Sequence, residues 1–351
     1  MHHTPHDHMT QALALAAQGR YTVSPNPMVG CVIVKNGKIV GEGFHHHAGA
    51  HHAEVHALLA AGHAAQDATA YVTLEPCCHY GKTPPCTQAL IQAGIKKVVV
   101  ACLDPNPLVS GKGLTTLKNA GIIVEIGLCE SEATQLNAIF FHYIQTQRPF
   151  VISKWAMSLD GKTVTHPQDN KHISGSASHQ HAHDLRQQVD AILIGAETAR
   201  LDNPLLTARF TEEKPKKQPH RIILSASGCL PNLNLFSETN GKTWIITTPE
   251  GSTQPLPAHI EKIILPPDTS GYIPLPLLLT TLGEKQITSL LVEGGMHLHE
   301  QFFQQNLVNQ CQVYLAPVFI GKNTQKQTYD QVQLATLEQD YVFTVRMKEY
   351  V

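Results

Sequence analysis

Four side chains in the first quarter of the sequence, His52, Glu54, Cys77 and Cys86, have the types and spacing of a metal-assisted proton-transfer site. Neutral imidazole and thiolate are donors that Zn²⁺ prefers, and three protein ligands leave its fourth position for water, which separates a catalytic zinc from a closed structural one. Bound zinc lowers the pKa of water from 15.7 to about 7, so hydroxide is available at neutral pH. Hydrolysis of a ring amine then needs a proton on a ring nitrogen and another on the departing amine, and Glu54, two residues beyond His52, is placed to carry both. Cys86 precedes a predicted helix whose N-terminal dipole favours an ionised sulfur, whereas the adjacent Cys77 and Cys78 point apart. The expected ligands are therefore His52, Cys77 and Cys86, with His79 left to face substrate.

The elements that must position these residues alternate. Met9, Leu13, Ala16 and Ala17 have helical spacing and lead to the turn Ser24-Pro25-Asn26-Pro27. Asn36-Gly37 between Cys31–Val34 and Ile39-Val40 predicts a type I′ hairpin. Helices are expected over 52–61, 87–93, 114–119 and 132–144, and strands over 70–74, 97–101 and 122–126. Such alternation predicts an open α/β sheet covered on both faces, with the metal-binding residues at two loop-to-helix junctions. The segment Thr146-Gln147-Arg148-Pro149 interrupts helix periodicity before Phe150-Val151-Ile152, which places a boundary between domains 1–146 and 147–351. The second half is again α/β, with strands near 191–194, 221–224, 244–247, 262–265, 289–292 and 312–316. No internal repeat relates the halves.

A chain of 351 residues exceeds the size at which one core stops growing, and 42% hydrophobic with 15% charged residues describes a folded protein. The formal charge of −2 is spread along the chain, which argues against nucleic acid as partner. Lys214, Lys216 and Lys217 read as a solvated loop. No apolar run reaches about 18 residues and no secretory signal is evident at the N-terminus, so a cytoplasmic protein with no membrane association is expected. Its eight cysteines are then thiols or ligands, five of them ordinary small buried residues. His2, His3, His6 and His8 read as a solvated N-terminus.

His52-Ala53-Glu54 followed by Pro76-Cys77 matches the first part of the zinc-deaminase signature His-x-Glu…Pro-Cys-x-x-Cys, but here eight residues separate Cys77 from Cys86. The longer form, Glu75-Pro76-Cys77-Cys78-His79-Tyr80-Gly81-Lys82-Thr83-Pro84-Pro85-Cys86, resembles the bifunctional deaminase-reductase family of riboflavin biosynthesis. The likeness continues through Asp7-His8-Met9, Pro25 to Gly30, Lys154 to Lys162, Gly195 to Thr198, Asp202 to Arg209 and Val292-Glu293-Gly294-Gly295. It implies a cytidine deaminase-like α/β/α domain followed by a dihydrofolate reductase-like α/β domain. The activities implied are deamination of 2,5-diamino-6-ribosylamino-4(3H)-pyrimidinone 5′-phosphate, then reduction of the ribosyl to the ribityl side chain of 5-amino-6-(5-phosphoribosylamino)uracil. The cofactors implied are one Zn²⁺ per chain and NADPH, and the assembly a homo-oligomer, dimer or tetramer.

Residue by residue, the resemblance assigns Asn26, His79, Lys82 and Thr83 to the pyrimidine and its ribose phosphate. It assigns Ala156, His172, Thr198, Asp202, Gly295, Met296, His297 and Leu298 to the cofactor. Asn170, Arg186, Leu206, Arg209 and Glu293 fall to the reductase substrate, with Arg186 and Arg209 on its phosphate. Exposed amides at the helix start after Gly294-Gly295 suit cofactor phosphates. No G-x-G-x-x-G follows a strand, so NADPH rests on the resemblance alone. Asn203 and Ala226 stand where the family often has an acid and a serine. Four other readings stand beside this one: a structural zinc knot or histidine-rich storage loop, a deaminase with an inactive second domain, a nucleic-acid deaminase, and a non-catalytic zinc scaffold.

Overall fold

A computed structural model of the chain describes residues 3–80, 84–107, 109–163, 173–209, 215, 217–321, 327–337 and 340–347. They form two compact units. The first gathers the described residues of Met1–Phe150 with Gln188–Asp190 and Leu275–Ser289; the second gathers those of Val151–Gln187, Ala191–Pro274 and Leu290–Val351.

The first unit runs α1 (Pro5–Ala16), β1 (Gly30–Lys35), β2 (Lys38–Phe44), α2 (Ala53–Ala61), β3 (Thr69–Val72), α3 (Cys86–Gln92), β4 (Lys97–Val100), α4 (Lys112–Asn119), β5 (Ile123–Ile126), α5 (Glu130–Leu136) and α6 (Ala138–Thr146). Thr4 and Asp7 form a capping box at the start of α1, with Pro5 at its first turn. Asn36 and Gly37 both have positive φ, as the two-residue hairpin between β1 and β2 requires. The sheet order is β2-β1-β3-β4-β5; β1 is antiparallel to β2 and β3, while β3, β4 and β5 are parallel.

Period-two alternation along β1 divides two cores. Cys31 and Ile33 pack with Ala53, Ala57, Leu90 and Leu117 on one face, and Val32 and Val34 pack with Met9, Ala12 and Ala133 on the other. The alanine face of α2 lies directly on glycines of β2: a Cβ on Gly41 would stand 2.2 Å from the Ala57 carbonyl oxygen, and one on Gly43 2.5 Å from that of Ala53. This close approach sets where the start of α2, and with it His52 and Glu54, must lie.

Three expectations need correction. The helix expected over 132–144 is two helices, α5 and α6, broken at Asn137. The Asn137 carboxamide accepts the Met28 N–H at 2.8 Å and donates to the Met28 carbonyl at 2.9 Å, a pairing over 109 residues that outweighs local helix preference. His8 is not solvated but 4% exposed, with its ring 5.2 Å from that of Tyr71. Five cysteines are expected to be ordinary buried residues, but of the six beyond the ligands Cys77 and Cys86 only Cys31 and Cys102 are buried; Cys78 and Cys129 are half-buried and Cys229 and Cys311 are exposed.

After α6 the chain runs β6 (Phe150–Ser158), α7 (Ser176–Gln188), β7 (Ala191–Gly195), α8 (Ala196–Asp202), β8 (His220–Leu224), β9 (Thr243–Thr247), β10 (Glu261–Ile264), α9 (Leu275–Glu284), β11 (Ser289–Val292), α10 (Met296–Gln304) and β12 (Gln310–Ala316), of which α9 belongs to the first unit and the strands form the second sheet. Its strand order is β10-β9-β8-β7-β11-β6-β12. Neighbours from β10 to β11 run parallel, as do β6 and β12. Three antiparallel strands follow, β13 (Val318–Phe319), β14 (Gln327–Leu337) and β15 (Asp340–Met347). Arg221 on β8 is fully buried, and its guanidinium donates to the Thr243 hydroxyl and to the carbonyls of Glu238, Asn240 and Gly241, so this cation is structural. No helix among the described residues is long and apolar enough to cross a membrane.

Candidate active site

In the first unit the N-termini of α2 and α3 meet the chain leaving β3. His52 is the N-cap of α2, Cys86 the first residue of α3, and Cys77 lies between β3 and α3. His52 Nδ1 stands 3.2 Å from Cys86 Sγ and 3.6 Å from Cys77 Sγ. The three donor atoms lie within 4.8 Å of one another, the sole such group of His, Cys, Asp or Glu found among the described residues. The first turn of α3 fixes Cys77: the Cys86 N–H donates to Cys77 Sγ at 3.3 Å, and the Thr87 N–H and hydroxyl both donate to the Cys77 carbonyl at 3.2 Å. Hydrogen bonding to Cys86, reinforced by His52 against the opposing effect of burial, brings the Cys77 thiol down to about 4. One imidazole nitrogen and two sulfurs, one of them held ionised, form a donor set that fits Zn²⁺.

Glu54, on the first turn of α2, is 3% exposed and hydrogen-bonded to the Cys86 thiol. Burial first, then the nearby Cys77 sulfur, raises its carboxyl above the usual range, the direction required of a group that exchanges protons near neutrality. The cavity beside it, about 480 Å³, is also lined by Asn26, His45, His79 and Asp104. The Asn26 carboxamide meets His45 Nε2 at 3.0 Å, and His45 Nδ1 meets the His51 carbonyl at 3.1 Å. The second contact makes Nδ1 the donor, so Nε2 accepts from Asn26. Lys82 and Thr83 lie outside the described residues.

Three residues here escaped sequence reasoning. His45, at 3% exposed, was hidden in a histidine-rich run. Asp104 is raised to about 6, chiefly by burial. Glu75 was read only as part of the cysteine motif, yet its carboxylate accepts four backbone N–H bonds, from Asp104 (3.3 Å), Gly111 (2.9 Å), Gly113 (3.0 Å) and Leu114 (3.3 Å). It anchors the chain from Asp104 to the start of α4 beside the metal-binding loop.

In the second unit a cavity of about 520 Å³ opens where β6, β7 and β11 deliver their carboxyl ends, the usual ligand crevice of a parallel sheet. Ala156, Thr198, Asp202, Gly295 and Met296 line it, together with Arg186, Leu206, Arg209 and Glu293. His297 is exposed and Leu298 is buried, and neither lines the cavity. Asn170 and His172 lie outside the described residues. The Gly295 N–H at the start of α10 donates to the Thr198 hydroxyl at 3.0 Å, so one amide of the expected phosphate cradle already has an acceptor.

Arg186 is placed differently from a simple phosphate clamp. Its Nε and Nη2 donate to the two Glu293 carboxylate oxygens at 2.8 Å each, and Nη1 donates to the Thr207 carbonyl at 3.1 Å. Burial opposes ionisation of Glu293, but Arg186 and then Lys154, 3.7 Å away, outweigh it and hold the carboxyl at about 2. Arg209 reaches the Thr207 hydroxyl at 2.6 Å. Lys154 sits 5.5 Å from the centroid of the Tyr314 ring, which also lines the cavity; neither was assigned from sequence. Asn203 serves the backbone, accepting the Asn234 N–H at 2.7 Å through its side chain. The Ala226 carbonyl accepts both the Thr247 and Thr248 hydroxyls at 3.0 Å.

Comparison with known proteins places both sites in one family. Residues 149–349 match the RibD C-terminal domain, and residues 3–102 match the cytidine and deoxycytidylate deaminase zinc-binding region. The riboflavin biosynthesis protein RibD of Aquifex aeolicus is 44% identical over 319 residues, covering 90% of this chain and 88% of that protein. RibD of Escherichia coli is 42% identical over 326 residues, covering 90% and 88%. Among solved structures, Acinetobacter baumannii RibD superposes with a TM-score of 0.81 at 39% identity, covering 98% of this chain and 99% of that one. A Thermotoga maritima diaminohydroxyphosphoribosylaminopyrimidine deaminase/5-amino-6-(5-phosphoribosylamino)uracil reductase superposes with a TM-score of 0.81 at 35% identity, covering 97% of each. The chain therefore belongs to the RibD family of riboflavin biosynthesis proteins.

Proposed function

We propose that the chain catalyses two successive steps of riboflavin biosynthesis: hydrolytic deamination of 2,5-diamino-6-ribosylamino-4(3H)-pyrimidinone 5′-phosphate by residues 1–146, and reduction of the ribosyl to the ribityl side chain of 5-amino-6-(5-phosphoribosylamino)uracil by residues 147–351. The observation that carries the first step is the convergence of His52, Cys77 and Cys86 with the buried Glu54 at a cavity wall. The family matches over 3–102 and 149–349 support the division of labour.

Zinc held by His52, Cys77 and Cys86 would act as the Lewis acid that makes water nucleophilic at neutral pH. Glu54 takes a proton from the water, gives it to the ring nitrogen, and returns a second proton to the departing amine; water is consumed and ammonia leaves. Asn26, oriented by its donation to His45 Nε2, turns the rest of its carboxamide to the pyrimidine edge. NADPH would supply the hydride in the second cavity. There Glu293, nearly buried and paired with Arg186 and Lys154, keeps a negative charge at the cavity wall, while Arg209 is the cation we assign to the substrate phosphate. The same reading takes the protein as a cytoplasmic homo-oligomer, dimer or tetramer, acting on small phosphorylated pyrimidines.

The test is Glu54→Gln, with zinc content and ammonia release measured on the same sample. Because Glu54 ligates nothing in this reading, zinc stays at one per chain while turnover falls by about 100- to 10,000-fold. Ammonia release at the wild-type rate by the zinc-loaded variant would overturn the assignment.

A further inference from the structure

The deaminase cavity has a wall built from a segment remote in sequence. Leu275–Ser289 belongs to the first unit, and Gln286, just beyond the end of α9, lines the cavity with Asn26, Phe140, Tyr143 and Ile144. Gln286 closes the helix: its N–H donates to the Gly283 carbonyl at 2.9 Å, and the Ile287 N–H to that of Leu282 at 3.1 Å. Its φ of 61° is left-handed. Glycine is the usual residue in that conformation after a helix, and asparagine the next; here the two hydrogen bonds that close the turn hold a glutamine in it.

The segment is held in place. The Tyr143 hydroxyl donates to the Gly283 carbonyl at 3.0 Å, Arg148 Nε to the Thr280 hydroxyl at 3.1 Å, and the Phe150 N–H to the Thr288 carbonyl at 2.8 Å. The Asp190 carboxylate accepts the Thr288 N–H at 2.9 Å and hydroxyl at 2.6 Å, and the same oxygen accepts the Ser24 hydroxyl at 2.9 Å, two residues before Asn26. One carboxylate thus ties the wall bearing Gln286 to the loop bearing Asn26, and fixes the distance between them.

We infer that Gln286 is a substrate-binding residue of the deaminase cavity and reads the sugar-phosphate arm. The inference rests on the deaminase function proposed above. The reacting ring carbon must lie at His52, Cys77 and Glu54, which come from α2 and the loop before α3. The wall of α6 and residues 275–289 carries none of these groups, so the substrate atoms that reach it are those the reaction leaves untouched. Among them are sugar hydroxyls, each both donor and acceptor, and a carboxamide offers both in one neutral group. A contact made equally before and during reaction lowers KM without changing kcat.

The experiment compares Gln286→Gly, which removes the side chain and relaxes the left-handed backbone, with Gln286→Ala, which removes it and keeps a Cβ there. Ammonia release from the phosphorylated diaminopyrimidine, NADPH oxidation with the deaminated intermediate, and Tm are measured on the full chain. In both variants KM for deamination is expected to rise about three- to tenfold with kcat unchanged, as for one lost hydrogen bond. NADPH oxidation should stay at the wild-type rate, and Gln286→Gly should melt no lower than wild type. A wild-type KM in the folded Gln286→Gly protein overturns the inference. So does a KM rise confined to Gln286→Ala with a lowered Tm, which would make the residue part of the turn alone. If the wild-type protein itself releases no ammonia, the proposed deaminase function fails and takes this inference with it.

Discussion

Replacing Glu75 by glutamine tests how the deaminase loop is held. One carboxylate oxygen accepts from Asp104 and Gly111, the other from Gly113 and Leu114. The side chain is 3% exposed, so water cannot readily substitute. A glutamine keeps one acceptor oxygen and turns the other into an NH₂ group that faces two N–H donors, whichever way the amide is flipped. Two hydrogen bonds to a charged acceptor are lost, each worth about 1.5 kcal/mol or more, for a total of roughly 3 kcal/mol. For a unit of this size that corresponds to a fall in Tm of about 6–12 °C. The damage is local to function as well, because Asp104, Asn106 and Val109 line the cavity from the anchored stretch. Scanning calorimetry should show the loss, and ammonia release should fall more than NADPH oxidation. A Tm within about 2 °C of wild type together with full deaminase activity would refute the anchoring argument.

Asn137→Ala leaves the Met28 N–H and carbonyl without their partner, and should destabilise the chain by about 2–4 kcal/mol in urea titration. Removing zinc with a chelator should abolish ammonia release, leave NADPH oxidation with the deaminated intermediate unchanged, and be reversed by added zinc; release that persists in metal-free protein would contradict the ligand assignment. Glu293→Gln breaks a pair whose side chains are 9% and 14% exposed and should cost about 3–5 kcal/mol. Because Glu293 is lowered from 4.5 to about 2, its stabilising effect is complete above pH 4.5 and is lost as pH falls through about 2. The Tm gap between wild type and Glu293→Gln should therefore be constant above pH 5 and narrow below 4.5; a gap that widens on acidification would reverse the sign.

What could be read directly from the sequence was local. Asn36-Gly37 dictates its hairpin because positive φ is a property of two residues, and the metal group is legible because His52, Glu54, Cys77 and Cys86 obey spacing rules set by ligand chemistry. The α/β alternation follows from periodicity in the same way. What could not be read depends on partners distant in sequence. Asn137 breaks its helix because Met28 lies across from it, Glu75 is an anchor because the chain after Asp104 returns to it, and His8 is buried because Tyr71 covers it. Arg186 has the composition of a phosphate ligand, but 107 residues further on Glu293 occupies its fork. Gln286 belongs to the same class: no local pattern marks a glutamine after α9 as part of a cavity more than 100 residues upstream. The likeness to a known family extends legibility only where a motif gives the residue a role: Tyr314 and His45 lie outside the matching segments, and Lys154 lies inside one that assigns it none.

The central claim, two chemical steps in one chain, is tested most directly by counting both products in one reaction. The zinc-loaded full chain is supplied with NADPH and the phosphorylated diaminopyrimidine, and ammonia and NADPH are followed together. Ammonia should appear first, NADPH oxidation should follow after a lag, and the two should end at one ammonia released per NADPH oxidised. NADPH oxidised without ammonia, or ammonia released with no NADPH ever consumed, would contradict the account.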